Sequence, residues 1–299
     1  MNIEKSKEFI YKNARPLDFA RWQFLFEGGS RENVLSILKM YQNEDGGFGH
    51  ALEADCWNPL SSPIQTWAAT QIIREIGLRD KKHPIILGIL DYLEKTEYFN
   101  GHAWNNTVPS NNDFPHALWW EYVETDEINY NPTVSLIGFI FLFADAKSTI
   151  YHTAEKLLSE AYEWFKNNCP LESMHTASCF AELFEDLYEC NYCNIDLNEF
   201  EKLLHLQIAN ILTTDTSIWS KEYVCKPSLF IHSRSSRFYM ENKKLCDFER
   251  QFISQTQMED GTWNVTWNWD DYQEQWHISK NWWKSDLIIK NVKFFRNMQ

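Results

Sequence analysis

The chain has 299 residues, enough for one large domain or two ordinary ones. Hydrophobic residues make up 44% and charged residues 23%, while ten Gly and nine Pro are too few for a low-complexity or collagen-like chain. The 42 acidic and 28 basic side chains give a formal net charge of −14, which repels phosphate backbones and anionic lipids. We therefore expect an ordered globular protein that binds neither nucleic acid nor a membrane surface.

Hydrophobic periodicity is helical along nearly the whole chain, and no stretch alternates long enough for a strand ladder. This pattern predicts an all-α protein of twelve helices, arranged as six helical hairpins. The predicted helices cover residues 2–12, 16–27, 30–43, 62–77, 83–97, 131–146, 149–168, 171–189, 196–213, 226–240, 242–257 and 274–296.

Three of these segments carry clear helix features. Ser30 is a side-chain cap for an amphipathic helix over 30–43. Residues 131–146 are apolar on every side after a proline in the first turn, which predicts a helix buried all round. Asp196 and Glu199 form a capping-box pattern at the start of the predicted helix 196–213, which has a single apolar stripe.

The N-terminus lacks the basic-then-apolar pattern of a signal peptide, and the longest apolar stretch, residues 134–144, is too short to cross a bilayer. We therefore expect a cytoplasmic protein without membrane insertion. The seven cysteines are an odd number spread over a large chain, which predicts reduced thiols rather than a disulfide framework. Cys190 and Cys193 have the spacing of metal ligands, but because no second pair accompanies them we expect no zinc site.

A turn motif recurs at the ends of predicted helices. Two good copies lie at residues 42–48 and 257–263, and two weaker copies lie at 99–104 and 214–219. Each good copy has a Gln, then Asp-Gly three residues later, then an aromatic residue. Such a turn closes a helix with a glycine at positive φ, an Asp bonded to the turn's own backbone, and a ring folded back onto the helix.

This turn resembles the Gln-Trp motif of the terpenoid cyclase and protein prenyltransferase superfamily. The resemblance implies an α/α toroid, in which residues 1–299 form one domain of six helical hairpins around a deep central cavity. Prenyltransferases also use a zinc ligand set with an Asp-x-Cys element, and Asp55-Cys56 does not provide that spacing. Because a fold does not specify chemistry, the function depends on the residues of the site.

An acidic stretch near the C-terminus resembles two different motifs of terpenoid enzymes. Class II cyclases protonate an alkene with the central acid of an Asp-x-Asp-Asp element, and residues 268–271 resemble it with Asn in the first position. The resemblance implies that Asp270 is a proton donor, its pKa raised by burial and by Asp271. The stretch also matches Asp-Asp-x-x-Glu, ending at Glu274, with which class I enzymes hold Mg²⁺ against diphosphate. The structural alternative is an acidic first turn that complements a helix dipole.

A second polar cluster follows the first turn motif. Glu53 and Asp55 are candidate acid–base residues there. His50, Trp57 and Asn58 are candidate substrate-binding residues in the same loop. In a toroid this loop runs from an outer to an inner helix across one mouth of the cavity. The alternative interpretation is ordinary polarity of a solvent-exposed loop.

The connection over residues 98–130 is longer than most loops of a compact domain, and such loops are usually functional lids or disordered. Its three Trp favour an ordered cap over the cavity. The candidate substrate-binding residues in it are Trp104, His116, Trp119 and Trp120.

Tryptophan is the other unusual feature of the composition. The chain has 14 Trp, and six of them lie between residues 263 and 283. Indole faces stabilise carbocations and provide platforms for sugar rings. We therefore add Trp267, Trp269 and Trp276 to the candidate substrate-binding residues, with packing in the core as the alternative.

Three functions remain open. The first is a terpenoid-cyclase-like or prenyltransferase-like enzyme that acts on an isoprenoid or similar apolar small molecule in an aromatic central cavity, with Mg²⁺ as cofactor if Asp270, Asp271 and Glu274 hold a diphosphate. The second is a carbohydrate-active (α/α)6 hydrolase or lyase, in which Glu53 or Asp55 is paired with one of the C-terminal acids. The third is a non-catalytic toroid that binds a ligand or peptide. The sequence leaves the substrate and the oligomeric state open.

Overall fold

The structure is a computed structural model that describes residues 1–125 and 127–299. Within these residues the chain forms eleven α-helices and, apart from isolated bridges, no β-structure, which confirms the prediction of an all-α protein. The helices are α1 (Ile3–Asn13), α2 (Pro16–Phe26), α3 (Arg31–Leu38), α4 (Pro63–Glu75), α5 (Pro84–Lys95), α6 (Tyr130–Phe143), α7 (Thr149–Asn168), α8 (Met174–Glu189), α9 (Leu197–Ile211), α10 (Tyr239–Gln255) and α11 (Gln273–Asn297).

One predicted helix is wrong. Residues 226–240 form only a short 3-10 turn at Pro227–Leu229, and helix α10 begins at Tyr239. Phe230 and Ile231 of this segment are buried. The segment is also rich in Ser, whose hydroxyl competes for backbone hydrogen bonds and favours turns over helix interiors. The predicted hairpin of 226–240 with 242–257 therefore lacks its first helix.

The helices form two compact units. One contains residues 1–37 and 211–299, and the other contains residues 38–210. In the first unit α11 packs against α1, α2 and α10, and α1 packs against α2, so both ends of the chain belong to one helical cluster. The closed toroid with a central cavity, as one domain over residues 1–299, stays a prediction.

Helix α6 is the centre of the second unit. Every residue from Pro132 to Phe143 is buried, which confirms the predicted helix buried all round. It packs against α4, α7 and α8, and α5 packs against α7.

The two good copies of the turn motif have the same geometry. Gln42 Nε2 donates a hydrogen bond to the Gly46 carbonyl oxygen at 2.8 Å, and Gln257 Nε2 donates to that of Gly261 at 3.2 Å. In each copy the Asp Oδ1 accepts from the backbone N–H two residues later, at 2.9 and 3.0 Å. The two glycines have φ angles of 86° and 85°, a region that other residues rarely adopt. The predicted turn chemistry is confirmed.

Each turn also contacts the helix that lies against it in its own unit. Gln42 Nε2 donates to the Ile85 carbonyl in the first turn of α5 at 3.3 Å. Gln257 accepts from the N–H of Asn2, the cap of α1, at 2.6 Å and donates to its carbonyl at 3.0 Å. The glutamine therefore joins the end of one helix to the start of another in both copies.

The aromatic rings fold back onto the preceding backbone, as predicted. Trp104 Nε1 donates to the Leu93 carbonyl at 3.0 Å, and Trp263 Nε1 donates to the Ile253 carbonyl at 2.9 Å. Because the acceptors lie near the ends of α5 and α10, each indole N–H satisfies a carbonyl that a helix terminus leaves without an intrahelical partner. These turn aromatics are accordingly part of the packing.

Candidate functional site

The polar loop after the first turn and the long connection are joined by backbone hydrogen bonds. Trp57 N–H donates to the Pro115 carbonyl at 2.9 Å, and Ala117 N–H donates to the Asp55 carbonyl at 2.9 Å. The connection contains two 3-10 turns, Pro109–Asp113 and Leu118–Trp120. Residue 126 of this connection lies outside the described residues, and a role as a cap over a cavity stays a prediction.

Side chains extend this junction into a buried network. Trp120 Nε1 donates to Glu53 Oε1 at 3.0 Å, and Asn111 Nδ2 donates to the Trp120 carbonyl at 2.9 Å. Asn58 Nδ2 donates to Asn111 Oδ1 at 3.0 Å. Glu53 and Asp55 are buried along with Asn58, so the alternative of solvent-exposed loop polarity is wrong for these three. Buried polar groups normally find partners in this way.

The remaining candidates in these two segments have different surroundings. His50 is exposed and lies 2.9 Å from Asn43 Oδ1, with a φ of 58°. His116 is half-buried, with Nδ1 2.6 Å from the Phe114 carbonyl oxygen. Trp119 is exposed, so its ring is open to a ligand. Trp104 is completely buried in its turn, and a substrate therefore has no access to its faces.

The acidic stretch near the C-terminus differs from both motifs that it resembles. Asp270 and Asp271 are exposed and precede α11, which begins at Gln273. The burial that the proton-donor hypothesis requires at Asp270 is therefore absent. Asp270 and Glu274 also do not share a helical face, because only Glu274 belongs to the helix. Its place in the first turn of α11 fits the structural alternative, an acid near a helix N-terminus.

The Trp residues around this stretch are packed together. Trp269 and Trp276 are buried, with ring centroids 5.7 Å apart. Trp267 is half-buried, 5.2 Å from Tyr223 and 5.3 Å from Trp283 between ring centroids. The rings of Trp269 and Trp276 therefore pack in the core of the first unit. Trp267 is the most accessible of the three candidates.

A charged cluster that the sequence analysis did not identify lies where α4, α6 and α8 meet. Arg74 of α4 bonds to Glu182 Oε1 at 3.1 Å and to Asp186 Oδ2, both through Nη2. Arg74 is mostly buried, Asp186 is buried and Glu182 is half-buried. The two acids are one helical turn apart, which places both on the same face of α8.

Neutral polar side chains continue this cluster on both sides of Glu182. Gln71 Nε2 donates to Glu182 Oε1 at 3.0 Å, and the Ser135 hydroxyl donates to the same oxygen. Trp67 Nε1 in turn donates to Ser135 Oγ at 2.9 Å. The chain from Trp67 to Asp186 is thus one continuous polar network between α4, α6 and α8; we call it the Arg74 cluster.

Burial dominates the electrostatics of the Arg74 cluster. It raises the pKa of Asp186 to about 7, because desolvation of the carboxylate and repulsion by Glu182 outweigh the attraction of Arg74. Burial lowers the pKa of Arg74, but Asp186 and Glu182 outweigh it and the net shift is upward, so the guanidinium stays charged. A carboxyl group that titrates near neutral pH is a common feature of functional sites.

Arg74 also has unused hydrogen-bonding capacity. Its Nε and Nη1 atoms are buried, and neither has a hydrogen-bond partner within the described residues. The guanidinium lies 5.5 Å from the Phe139 ring centroid. Buried donors are almost always paired, so an orphaned pair of donor atoms beside an accessible acid suits a ligand or water that completes the site.

The sequence contains little that would have identified the Arg74 cluster. Arg74 and Asp186 are 112 positions apart, and Arg74 and Ser135 are 61 positions apart. The only local features are Ser135, a polar residue inside an apolar helix, and the spacing of Glu182 and Asp186 by one helical turn. Neither feature indicates which helices meet.

Residues 1–125 and 127–299 contain neither a group of metal ligands nor a membrane-spanning helix. No three or more His, Cys, Asp and Glu side chains are placed there to hold a metal ion, and this applies to Asp270, Asp271 and Glu274 as well. No helix in that part of the chain combines the length and the apolar character needed to cross a membrane. No protein-family model matches the chain, and no curated protein or solved structure matches it significantly.

Proposed function

We propose that the protein is a carbohydrate-active hydrolase or lyase whose catalytic carboxyl groups are Glu182 and Asp186. The observation that carries this proposal is that both acids bond to one atom, Nη2 of Arg74. Two oxygens that bond to one atom are at most about 6 Å apart. Retaining glycosidases hold their two carboxyl groups about 5 to 5.5 Å apart, a separation that lies within this upper limit.

The environments of the two acids suit different roles. Asp186 is the more buried, and its pKa of about 7 makes it a candidate general acid at neutral pH. Glu182 is more accessible, and its Oε1 accepts hydrogen bonds from Ser135 and Gln71 and forms an ion pair with Arg74. It is the candidate base or nucleophile. Two carboxyl groups whose pKa values are made different by their surroundings are a general arrangement for acid–base catalysis.

The polarity of the Arg74 cluster favours a hydroxyl-rich substrate over an apolar one. An isoprenoid placed against Arg74, Gln71 and Glu182 would remove water from these groups without replacing its hydrogen bonds, at a cost of about 1 to 3 kcal/mol for each group. A sugar supplies donors and acceptors for the same groups. Trp67 is half-buried beside them, and an indole ring is a suitable platform for a sugar.

A panel of oligosaccharides and aryl glycosides tests this proposal, with products measured by mass spectrometry. Glu182→Gln and Asp186→Asn should each lower turnover about 100-fold or more, because each removes a proton-transfer group. Glu189→Gln is the matched control on α8, since that exposed acid bonds to Arg79 at 2.6 and 2.9 Å. Folded variants, verified by circular dichroism, that retain full turnover would contradict the proposal.

A second candidate is a terpenoid-cyclase-like enzyme, and the observation that favours it is the shared geometry of the turns at 42–48 and 257–263. Because Asp270 is exposed, the buried Asp186 is then the better proton donor. Incubation with linear isoprenoids and isoprenoid diphosphates, with products analysed by gas chromatography, distinguishes the two candidates. Cyclic products that persist in Asp270→Asn and disappear in Asp186→Asn would support this second function.

A further inference from the structure

A cavity of about 750 Å³ lies in the second unit and shares no lining residue with the Arg74 cluster. Its walls come from α5 and the segment before it, the end of α6, the connection to α7, the start of α7 and the segment around the end of α8. Phe141 forms the apolar floor, with ring centroids of Tyr151 and Tyr192 at 5.0 and 4.7 Å. Cavities of roughly 300 to 1,000 Å³ are typical of small-molecule sites.

Two cysteines lie in the wall of this cavity, and both belong to the sequence Cys190-Asn191-Tyr192-Cys193. Cys190 is the half-buried cap of α8, and Asn191 turns the chain away from the helix with a φ of 54°. Cys193 is exposed, whereas none of the other six cysteines is. The pair thus combines one accessible thiol with one sheltered thiol at a spacing common to redox-active dithiols.

The surroundings of the two thiols are shared. Burial raises the pKa of Tyr151 and of Tyr192, and negative charge at Glu155, at Cys190 and at Cys193 raises both further. Burial also raises the pKa of Cys190, with Asp186 adding to the rise and Lys81 opposing it. Cys193 is therefore the better first nucleophile, and Cys190 is suited to act second.

Positive charge at the cavity mouth indicates the kind of reactant. Lys81 and Lys82 are exposed and line the cavity together with one exposed acid, Asp145. This excess of positive charge contrasts with the formal net charge of −14 for the whole chain. A small molecule that carries carboxylates is attracted to such a mouth, while the aromatic floor accepts its apolar part.

We propose that Cys190 and Cys193 form a redox-active dithiol that reduces an anionic low-molecular-weight disulfide entering this cavity. The Cys193 thiolate attacks one sulfur of the disulfide, forming a mixed disulfide and expelling the other half as a thiolate. The Cys190 thiolate then attacks Cys193 Sγ, which forms the Cys190–Cys193 disulfide and releases the second half as a thiolate. The protein loses two protons and two electrons, and the small disulfide becomes two thiols.

Oxidised glutathione is the probe for the reduced, folded full-length protein, followed by intact-mass and peptide mass spectrometry. The wild type should lose two hydrogens and yield a peptide with a bond between Cys190 and Cys193. Cys190→Ser should instead trap one glutathione on Cys193, and Cys193→Ser should slow all modification at least about tenfold. A Cys193→Ser variant that reacts like the wild type, or a wild type that forms no internal bond while folded, would overturn the proposal.

A comparison of an anionic with a neutral disulfide tests the role of Lys81 and Lys82. Lys81→Ala combined with Lys82→Ala should slow reaction with oxidised glutathione about threefold to tenfold at low salt, and much less with neutral 2-hydroxyethyl disulfide. Equal slowing with both reagents would overturn the anionic specificity. Because the experiment measures thiol chemistry outside the Arg74 cluster, its outcome is independent of the proposed carbohydrate activity.

Discussion

Gly138 of α6 faces Asp186 of α8 so closely that a Cβ atom at position 138 would lie 2.4 Å from Asp186 Oδ2. No real Cβ contact is that short, so a larger residue at 138 displaces the carboxylate. Asp186 in turn bonds to Arg74. The small size of one residue on α6 therefore fixes the position of the charged groups that α4 and α8 contribute.

Gly138→Ala should destabilise the protein by about 1 to 3 kcal/mol, the usual cost of inserting a methyl group into a close-packed site. It should also lower any activity that depends on Asp186. Chemical denaturation monitored by circular dichroism measures the stability change, and the slope against denaturant concentration tests for two-state behaviour.

A double-mutant cycle identifies the cause of that loss. Combining Gly138→Ala with Asp186→Ala removes the carboxylate that the new methyl group meets, so the two effects should be non-additive by about 1 kcal/mol or more. Strictly additive effects would show that Gly138 acts through the backbone of α6 and not through Asp186.

Asp186 should make stability depend on pH between about 4 and 7. Its pKa rises from 3.8 in the unfolded chain to about 7 in the folded protein, so the folded state binds the proton more tightly across this window. The contribution of the Asp186 proton to the free energy of unfolding is complete below pH 4. That free energy falls by up to about 4 kcal/mol as the pH rises toward 7. Arg74 stays charged throughout, because the net shift of its pKa is upward.

The comparison is made as the difference in unfolding free energy between the wild type and Asp186→Asn, measured by denaturation at several pH values. The Asn variant should gain stability relative to the wild type as pH rises through this window. Glu189→Gln is the control, since Glu189 is an exposed acid of the same helix. It is the smallest of the causes that raise the pKa of Asp186, so this variant should give a much smaller slope than Asp186→Asn. The opposite slope for Asp186→Asn would mean that attraction by Arg74 dominates over burial.

Features that depend on neighbouring residues were predictable from the sequence. Ser30 Oγ accepts from Asn33 N–H at 3.1 Å, and Asp196 Oδ1 accepts from Glu199 N–H at 3.1 Å, as their cap patterns predicted. The turn motifs follow the same principle, because Asp and Gly fold the backbone within a few positions. Local chemistry therefore predicted the helix ends and the turns, with residues 226–240 as the exception.

The candidate site was less predictable because it depends on which helix faces meet. Composition cannot distinguish Trp residues that line a cavity from Trp residues that fill a core, and Trp104, Trp269 and Trp276 are buried. Glu53 and Asp55 were identified by type, but their burial follows from pairing with a loop some sixty positions away. Arg74 carries no local pattern, and the one-turn spacing of Asp186 from Glu182 does not indicate which helix they face.

Glu249 provides a second pH prediction, in the first unit. It is buried in α10 and accepts from the backbone N–H and hydroxyl of Ser228 at 2.8 and 2.5 Å. Burial raises its pKa from 4.5 to about 7, although Ser228 and Lys226 act in the opposite direction. The folded state again binds the proton more tightly, so stability should fall by up to about 3 kcal/mol between pH 4.5 and 7.

Glu249→Gln should remove this dependence, and thermal unfolding of the variant and the wild type across the window measures it. Asp247→Asn is the matched control on α10, because Asp247 is only half-buried and pairs with Lys243 at 3.1 Å. Its stability should differ from the wild type by less than about 0.5 kcal/mol at every pH. A Gln variant that keeps the full pH dependence would assign that dependence to another group.

The paired glutamines of the turn motif give the last prediction. Gln257→Ala should cost about 1 to 3 kcal/mol, because its amide joins the turn to the cap of α1 through several hydrogen bonds. Gln42→Ala should cost a similar amount, since its amide makes the corresponding bonds to Gly46 and Ile85. Denaturant unfolding of each variant gives the two values.

Gln255→Ala is the control, because Gln255 is the exposed last residue of α10 and belongs to no turn network. Its substitution should change stability by less than about 0.5 kcal/mol. A large loss of stability in only one of Gln42→Ala and Gln257→Ala would mean that the two turns have the same geometry but different structural roles. Similar losses for both would show that the repeated turn holds neighbouring helices together in each unit by the same few hydrogen bonds.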